Sequence, residues 1–141
     1  MTDVELGALL ADVGQAGSYF VDARDRAALV EAATTLEFAV VTIDLENAED
    51  KPSLLEAMAD GLLFPEWFGG NWDALADCLG DLSWLDARHG LLLLLDHSGD
   101  LRENAPDDFA TLLDILDEAA RQHAAAGVAF WALLPAVSTP S

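Results

Sequence analysis

Three stretches of the chain are almost uninterrupted runs of apolar residues. They cover residues 38–43 (FAVVTI), 91–95 (LLLLL) and 128–134 (VAFWALL), and Pro135 closes the last one. Apolar runs this short, bounded by Gly, Pro or Asp, are typical of strands rather than of helices. Because the runs do not alternate with polar positions, we expect a sheet that is covered on both faces, which is usually a parallel one.

Helical periodicity fills the gaps between these runs. A helix that begins near a proline is predicted over residues 52–60. A longer helix, capped by Asp107 or Asp108, is predicted over residues 107–126. Strands that alternate with helices in this order predict an α/β layer fold with right-handed crossovers.

The first 36 residues predict a further unit. Apolar spacing favours helices over residues 5–13 and 24–36, and residues 18–21 (SYFV) read as a short strand. We expect residues 1–36 to pack on the same domain as an N-terminal helical and β-α extension. Such an extension can add a fourth strand to the sheet.

The densest local signal lies in residues 64–79, FPEWFGGNWDALADCL. Two aromatic residues lead into a Gly-Gly pair, whose backbone can adopt positive φ, and Asn71 follows where a helix N-cap is expected. Apolar residues then recur at helical spacing and predict a buried face. Asp73 and Asp77 lie four residues apart, together on a different face of the same helix.

Each of these residues also has a purely structural interpretation. Asp73 in a first helical turn is favourable to the helix dipole, and Asp77 can belong to a solvated acidic face. Trp67 can pack in the interior or against a loop. Cys78, on the apolar side of the helix, is expected to be a small buried side chain.

The charge of the chain is strongly unbalanced. It carries 26 acidic and six basic residues among 141, for a net charge of −20. Residues 52–87 contain seven carboxylates and residues 103–120 contain six, without a Lys or Arg in either stretch. This charge excludes nucleic acid backbones and anionic membranes as partners. It indicates either a surface for a positively charged partner or a merely soluble one, and its self-repulsion favours a monomer.

Other function classes find little support in the sequence. The chain has no Gly-x-Ser-x-Gly, Gly-x-Gly-x-x-Gly or P-loop motif, so we expect neither an enzyme nor a cofactor. The three histidines are spaced too irregularly for zinc, and no EF-hand spacing is present, so no metal site is expected. A single cysteine, no basic leader and no apolar run long enough for a bilayer favour a cytoplasmic protein.

Residues 64–79 resemble the central segment of the barstar family, the intracellular inhibitors of ribonucleases. The likeness extends more weakly over residues 38–134, where a Leu-rich strand and a turn at residues 101–104 keep the family's order. The resemblance implies a three-stranded parallel sheet packed by helices, in a domain of residues 37–135. Residues 136–141 are expected to form a short flexible tail.

The resemblance also implies a function and the residues that perform it. Members of the family block the active site of a basic ribonuclease with this loop and helix, and their carboxylates stand where RNA phosphates would lie. The implied partner-binding residues are Trp67, Gly69, Asn71, Asp73, Ala74, Asp77 and Glu118. Among them, Asp77 matches the central carboxylate, and Glu118 matches a glutamate that faces the same enzyme.

Physical chemistry accounts for this implied role. Asp73 and Asp77 are about 6 Å apart along one helical turn, near the separation of successive nucleotide phosphates, and each can form charge-assisted pairs with arginine. We therefore predict an inhibitor of a basic ribonuclease or nuclease toxin. A barstar-like interaction domain or immunity protein with a non-ribonuclease partner is the alternative, because Ala76 and Leu82 stand where the family carries tryptophans.

Overall fold

A four-stranded parallel sheet forms the centre of the protein. The computed structural model describes residues 3–64, 70–83 and 85–136. Within these residues the strands are β1 (Ser18–Asp22), β2 (Ala39–Asp44), β3 (Leu91–Asp96) and β4 (Phe130–Ala136). They lie in the order β1-β4-β3-β2, and each neighbouring pair is parallel.

Helices cover both faces of this sheet. In the described part of the chain they are α1 (Asp3–Ala11), α2 (Arg26–Thr35), α3 (Lys51–Leu62), α4 (Trp72–Asp81), α5 (Gly99–Asn104) and α6 (Pro106–Ala125). Side chains of α1 and α2 pack on one face, and those of α3, α4, α5 and α6 pack on the other. None of the described helices is both long and apolar enough to cross a membrane.

Strand β3 explains why the apolar runs are continuous. Leu91, Leu93 and Leu95 face the core beneath α3, α4 and α6, whereas Leu92 and Leu94 face the core beneath α1 and α2. All five leucines are at most 1% exposed. The prediction of a sheet buried on both faces is confirmed.

The sheet has four strands rather than the three that the family resemblance implied. The fourth strand is β1, from the N-terminal extension, and it pairs with β4 from Ser18 opposite Ala132 onward. The backbone N–H and the hydroxyl of Ser18 both donate to Asp117 of α6, at 2.8 and 2.7 Å. Because β4 is buried on both faces, a second pairing partner satisfies backbone groups that would otherwise form an edge.

Several element boundaries differ from the predictions. Strand β4 continues through Pro135 to Ala136, because its pairing with β3 ends at Leu133 and Pro135 is paired on the β1 side alone, which leaves a side where a missing N–H is tolerated. Helix α6 begins at Pro106 and is preceded by Ala105, so Asp107 and Asp108 lie in its first turn instead of capping it. The turn expected at residues 101–104 belongs to the short helix α5.

Candidate functional site

Helix α4 begins with the cap that the sequence predicted. Asn71 has extended backbone angles, and its Oδ1 accepts a hydrogen bond from the backbone N–H of Ala74 at 2.8 Å. Gly70, just before the cap, has φ +69°, a conformation that glycine adopts without strain. The cap fixes the first turn of the helix, which carries Asp73.

The inner face of α4 is held firmly in the core. Leu75, Cys78 and Leu79 are fully buried. A Cβ on Gly80 would lie 2.5 Å from the side-chain oxygen of Gln122, so α4 and α6 approach closely there. The backbone carbonyl of Leu79 lies 2.8 Å from Nε2 of His123 on α6. These contacts fix the rotation of α4 about its own axis.

The outer face of α4 carries Asp73 and Asp77, the two acids predicted to bind a partner. Asp73 and Asp77 are both exposed, and within the described ranges neither forms a hydrogen bond or an ion pair through its side chain. An inward orientation, with arginines of the same molecule bound to these carboxylates, would have contradicted the predicted role. The geometry instead leaves both carboxylates available to an external partner.

Cys78 is confirmed as a small buried side chain on the inner face of α4. It is 0% exposed and forms no disulfide. Burial raises the pKa of its thiol above the ordinary value, and the nearby carboxylates of Asp77 and Asp81 add to this effect. The thiol therefore stays protonated near neutral pH and is a poor nucleophile.

Glu118 is placed differently from the two aspartates. It lies on α6, the helix that packs against α4, and its side chain is exposed. Its carboxylate oxygen Oε2 accepts hydrogen bonds from Arg121 at 2.6 and 3.2 Å. Among the described residues, Asp73 and Asp77 thus have no ion-pair partner, whereas Glu118 is already paired with Arg121 of its own helix.

Two of the predicted partner-binding residues cannot be placed. Trp67 and Gly69 lie outside the described residues, in the gap at 65–69. Ala74 is half-buried in the first turn of α4. Of the two positions where the family carries tryptophans, Ala76 is half-buried and Leu82 is 4% exposed, so the leucine contributes to the core rather than to a binding surface.

Two surface features of α3 were not predicted from the sequence. Leu63, which ends α3 with φ +55°, is 70% exposed and lies just before the gap at 65–69. The ammonium of Lys51 lies 5.3 Å from the ring centroid of Trp72, which is only half-buried. An apolar residue directly after the last helical position was the available signal for Leu63; nothing in the spacing pointed to the Lys51 contact.

One cluster of possible metal ligands occurs among the described residues. Asp44, Glu46 and His97 each offer a ligand atom, and these atoms lie within 4.8 Å of one another, all on exposed side chains. Nδ1 of His97 lies 2.8 Å from Oδ1 of Asp44, and this contact raises the pKa of His97 and lowers that of Asp44. An internal ion pair therefore joins two of the three members of this cluster.

Comparisons with known proteins support the α/β fold and identify a related family. A family model described as Barstar (barnase inhibitor) matches residues 38–135. A search of curated proteins finds no match. The solved structure of the ORC2 protein of Aeropyrum pernix, in ADPNP-ADP complexes, matches with a TM-score of 0.57 and 19% identity over 96% of this chain. The chain spans 40% of that protein's length, and at this identity the likeness concerns the fold alone.

Proposed function

The chain belongs to the barstar family, and on this basis we propose that it inhibits a basic ribonuclease or nuclease toxin. In this proposal Asp77 enters the phosphate-binding centre of the enzyme, and Asp73 binds a neighbouring cationic group. The observation that carries the proposal is a pair of exposed carboxylates without partners in the described chain, on a helix whose opposite face is fully buried. Inhibition of this kind needs no catalytic step by the inhibitor.

The rigidity of α4 favours this mode of binding. Its start is fixed by the Asn71 cap and its rotation by Leu75, Leu79 and the contact with α6. Little conformational entropy is then lost when the two carboxylates are bound. Their desolvation is costly, so the complex is favourable only where the partner supplies several guanidinium or ammonium donors at once.

Neighbouring residues would complete the contact surface. Trp67 and Gly69 come from the segment that leads into α4, and a Trp side chain supplies a large apolar contact area beside the charges. The exposed Leu63 lies just before that segment and extends the apolar part. Glu118 can contribute only after its contact with Arg121 is released or shared with the partner.

The net charge of −20 favours rapid encounter with a basic enzyme. Its field would raise the association rate, and salt would lower that rate because ions screen exposed charges beyond about 8 Å at physiological ionic strength. We further propose that the protein acts as a monomer in the cytoplasm. An association rate that stays constant between low and high salt would remove the steering part of the proposal.

The decisive experiment captures the partner with the full chain and then measures inhibition. We expect the captured protein to be basic and to cleave RNA, and we expect the parent chain to stop that cleavage. Asp77→Asn should relieve inhibition strongly and Asp73→Asn less so. Glu31→Gln on α2 is the matched control, since it removes one exposed charge from the opposite layer. Equal inhibition by all three variants would refute the mechanism.

A second candidate function keeps the family but changes the partner. Half-buried Ala76 and buried Leu82 replace the two tryptophans of the family pattern, so α4 lacks their aromatic contact surface. A barstar-like interaction domain or immunity protein with a non-ribonuclease partner would fit this loss. Capture of a basic protein without ribonuclease activity, through the same two aspartates, would favour this candidate.

A further inference from the structure

A cavity of about 500 Å³ lies at the carboxyl edge of the sheet, away from α4. It is lined by the residues that follow β1 and β3, by the end of β4 and by α5. Strand β1 continues into α2 on one face of the sheet, while β3 continues into α5 and α6 on the other face. In open parallel sheets, ligands bind in the crevice where the connections diverge in this way.

Arg102 of α5 lines this cavity. Four of the six basic side chains of the protein form ion pairs with nearby carboxylates. The guanidinium of Arg102 instead lies over the ring of Phe20, 4.5 Å from its centroid, and 5.8 Å from that of Phe109. Among the described residues no carboxylate neutralises it, although the chain carries 26 acids.

Ser98 provides a second, independent observation at the same place. It lines the cavity and is only 5% exposed, yet its hydroxyl does not cap α5 and has no other hydrogen-bond partner among the described residues. No fully buried side-chain oxygen or nitrogen in the described ranges lacks a partner. The hydroxyl therefore keeps access to solvent, and the cavity that Ser98 lines provides that access.

The remaining charges of the cavity wall are already balanced. Arg26 donates two hydrogen bonds to Asp96, at 2.8 and 3.1 Å, and His97 contacts Asp44 at 2.8 Å. Arg102 is consequently the unbalanced charge of this wall.

We propose that this cavity binds a small molecule through an oxyanion, a phosphate or a carboxylate. Arg102 forms the charge-assisted contact and the Ser98 hydroxyl donates a hydrogen bond. Pro135 and Ala23 offer an apolar wall to the body of the ligand. This site uses neither Asp73 nor Asp77, so it is independent of the proposed inhibition.

The test is a titration of the full ¹⁵N-labelled chain, followed by amide chemical shifts. Inorganic phosphate and acetate are added separately at constant pH and ionic strength, with chloride as the reference anion. We expect saturable shifts centred on residues 97–102 with at least one of the two probes. Tighter binding of phosphate identifies a phosphate site and tighter binding of acetate a carboxylate site; no saturable shift with either probe overturns the proposal.

Variants establish that the binding occurs in this cavity. Arg102→Gln should weaken the probe by about tenfold or more, as expected for loss of a charged hydrogen-bond partner. Arg102→Lys keeps the charge without the planar fork and should lie between the parent and Gln. Arg88→Gln is the matched control, since Arg88 pairs with Asp86 outside this cavity.

Ser98→Ala tests the hydrogen bond separately from the charge. A loss of a few-fold in probe affinity is expected, with amide shifts elsewhere in the protein unchanged. If Arg102→Gln perturbs the fold, the comparison of Arg102→Lys with Ser98→Ala still measures the two contacts. Probe affinity that is equal in the parent, Arg102→Lys and Ser98→Ala would refute the site.

Discussion

Two groups of aspartates in this protein have opposite surroundings. Three of the four strands end in an aspartate, and each of these acids is paired with a basic side chain of the same molecule: Asp22 with Arg24, Asp44 with His97, and Asp96 with Arg26. On α4, Asp73 and Asp77 have no such partner in the described ranges. Within the described ranges, basic groups thus pair with these three acids at the sheet edge and with neither Asp73 nor Asp77 of α4.

Packing explains why the sheet edge receives the counter-charges. Asp44 and Asp96 are direct neighbours in the register of β2 and β3, so their like charges would repel at the edge of the sheet. Asp73 and Asp77 are exposed, and repulsion one turn apart on a helix costs only a few tenths of a kcal/mol. Pairing at the sheet edge thus has a structural reason, whereas exposed acids such as Asp73 and Asp77 need no partner within the fold to be tolerated.

The largest expected effect that tests this contrast is on partner binding. Asp77→Asn should weaken the complex by about 2 kcal/mol or more, roughly 30-fold, and Asp73→Asn by less. The reason is that the cations of the partner would remain desolvated without their counter-charge. Calorimetric titration of the captured partner measures this, with Glu31→Gln as the charge-matched control. Full affinity of Asp77→Asn would place α4 outside the interface.

The second effect concerns stability, for which the sheet-edge acid should matter more than the acid on α4. Asp96→Asn should lower the free energy of unfolding by about 1–2 kcal/mol, because it leaves Arg26 without its two charged hydrogen bonds. Asp73→Asn should leave it unchanged or raise it by up to about 0.5 kcal/mol, since a like-charge contact is removed. Urea unfolding measures both. The contrast between the two regions fails if Asp73→Asn is the more destabilising substitution.

A third substitution tests how the N-cap of α4 contributes to stability and binding while Asp73 and Asp77 are unchanged. Asn71→Ala removes the N-cap of α4 and should cost about 1 kcal/mol of stability. Binding should weaken as well, because the first turn that holds Asp73 is less fixed. Asn71→Ser, which retains a capping oxygen, is the control and should restore most of both. An Ala variant with unchanged stability and affinity would show that the cap contributes to neither.

A smaller effect is expected at Glu118, whose pairing resembles that of the sheet edge. Arg121→Gln frees this carboxylate and removes a positive charge from α6, so a basic partner should bind more tightly, within about fivefold. Association rates at low and high salt measure the gain. Weaker binding would mean that Arg121 itself contacts the partner.

The smallest effect is a shift in titration. Asp44 raises the pKa of His97, so their attraction stabilises the fold below the ordinary His pKa and is lost as pH rises through the raised value. Both side chains are exposed, and the dependence of stability on pH should therefore be slight. Asp44→Asn should return the His97 pKa towards its ordinary value, as measured by NMR of the ring protons. An unchanged pKa would show that Asp44 is not the cause.

Local sequence signals predicted most of the elements that matter for the site. The uninterrupted apolar runs identified β2, β3 and β4, and the Asn71 cap with its apolar spacing correctly separated the buried face of α4 from Asp73 and Asp77. These features depend on neighbouring residues alone. The extra length of β4 beyond Pro135 depends on its pairing with β1, which local patterns do not contain.

The two side-chain contacts that were not predicted depend on strand register or on a residue just outside an acidic stretch. The contact between His97 and Asp44 joins residues 53 positions apart and follows from the alignment of β2 with β3. The ion pair of Glu118 depends on the residue directly after the acidic stretch at residues 103–120. That residue, Arg121, is three positions from Glu118, a spacing at which helix side chains meet.

The leucines of β3 give the N-terminal layer an importance that family membership alone would not suggest. The family match begins at residue 38, yet Leu92 and Leu94 are packed beneath α1 and α2. A shortened chain that starts at residue 38 would expose this hydrophobic face of the sheet to water and would be prone to self-association. Helices that precede the family match thus cover one face of strand β3, which lies within it.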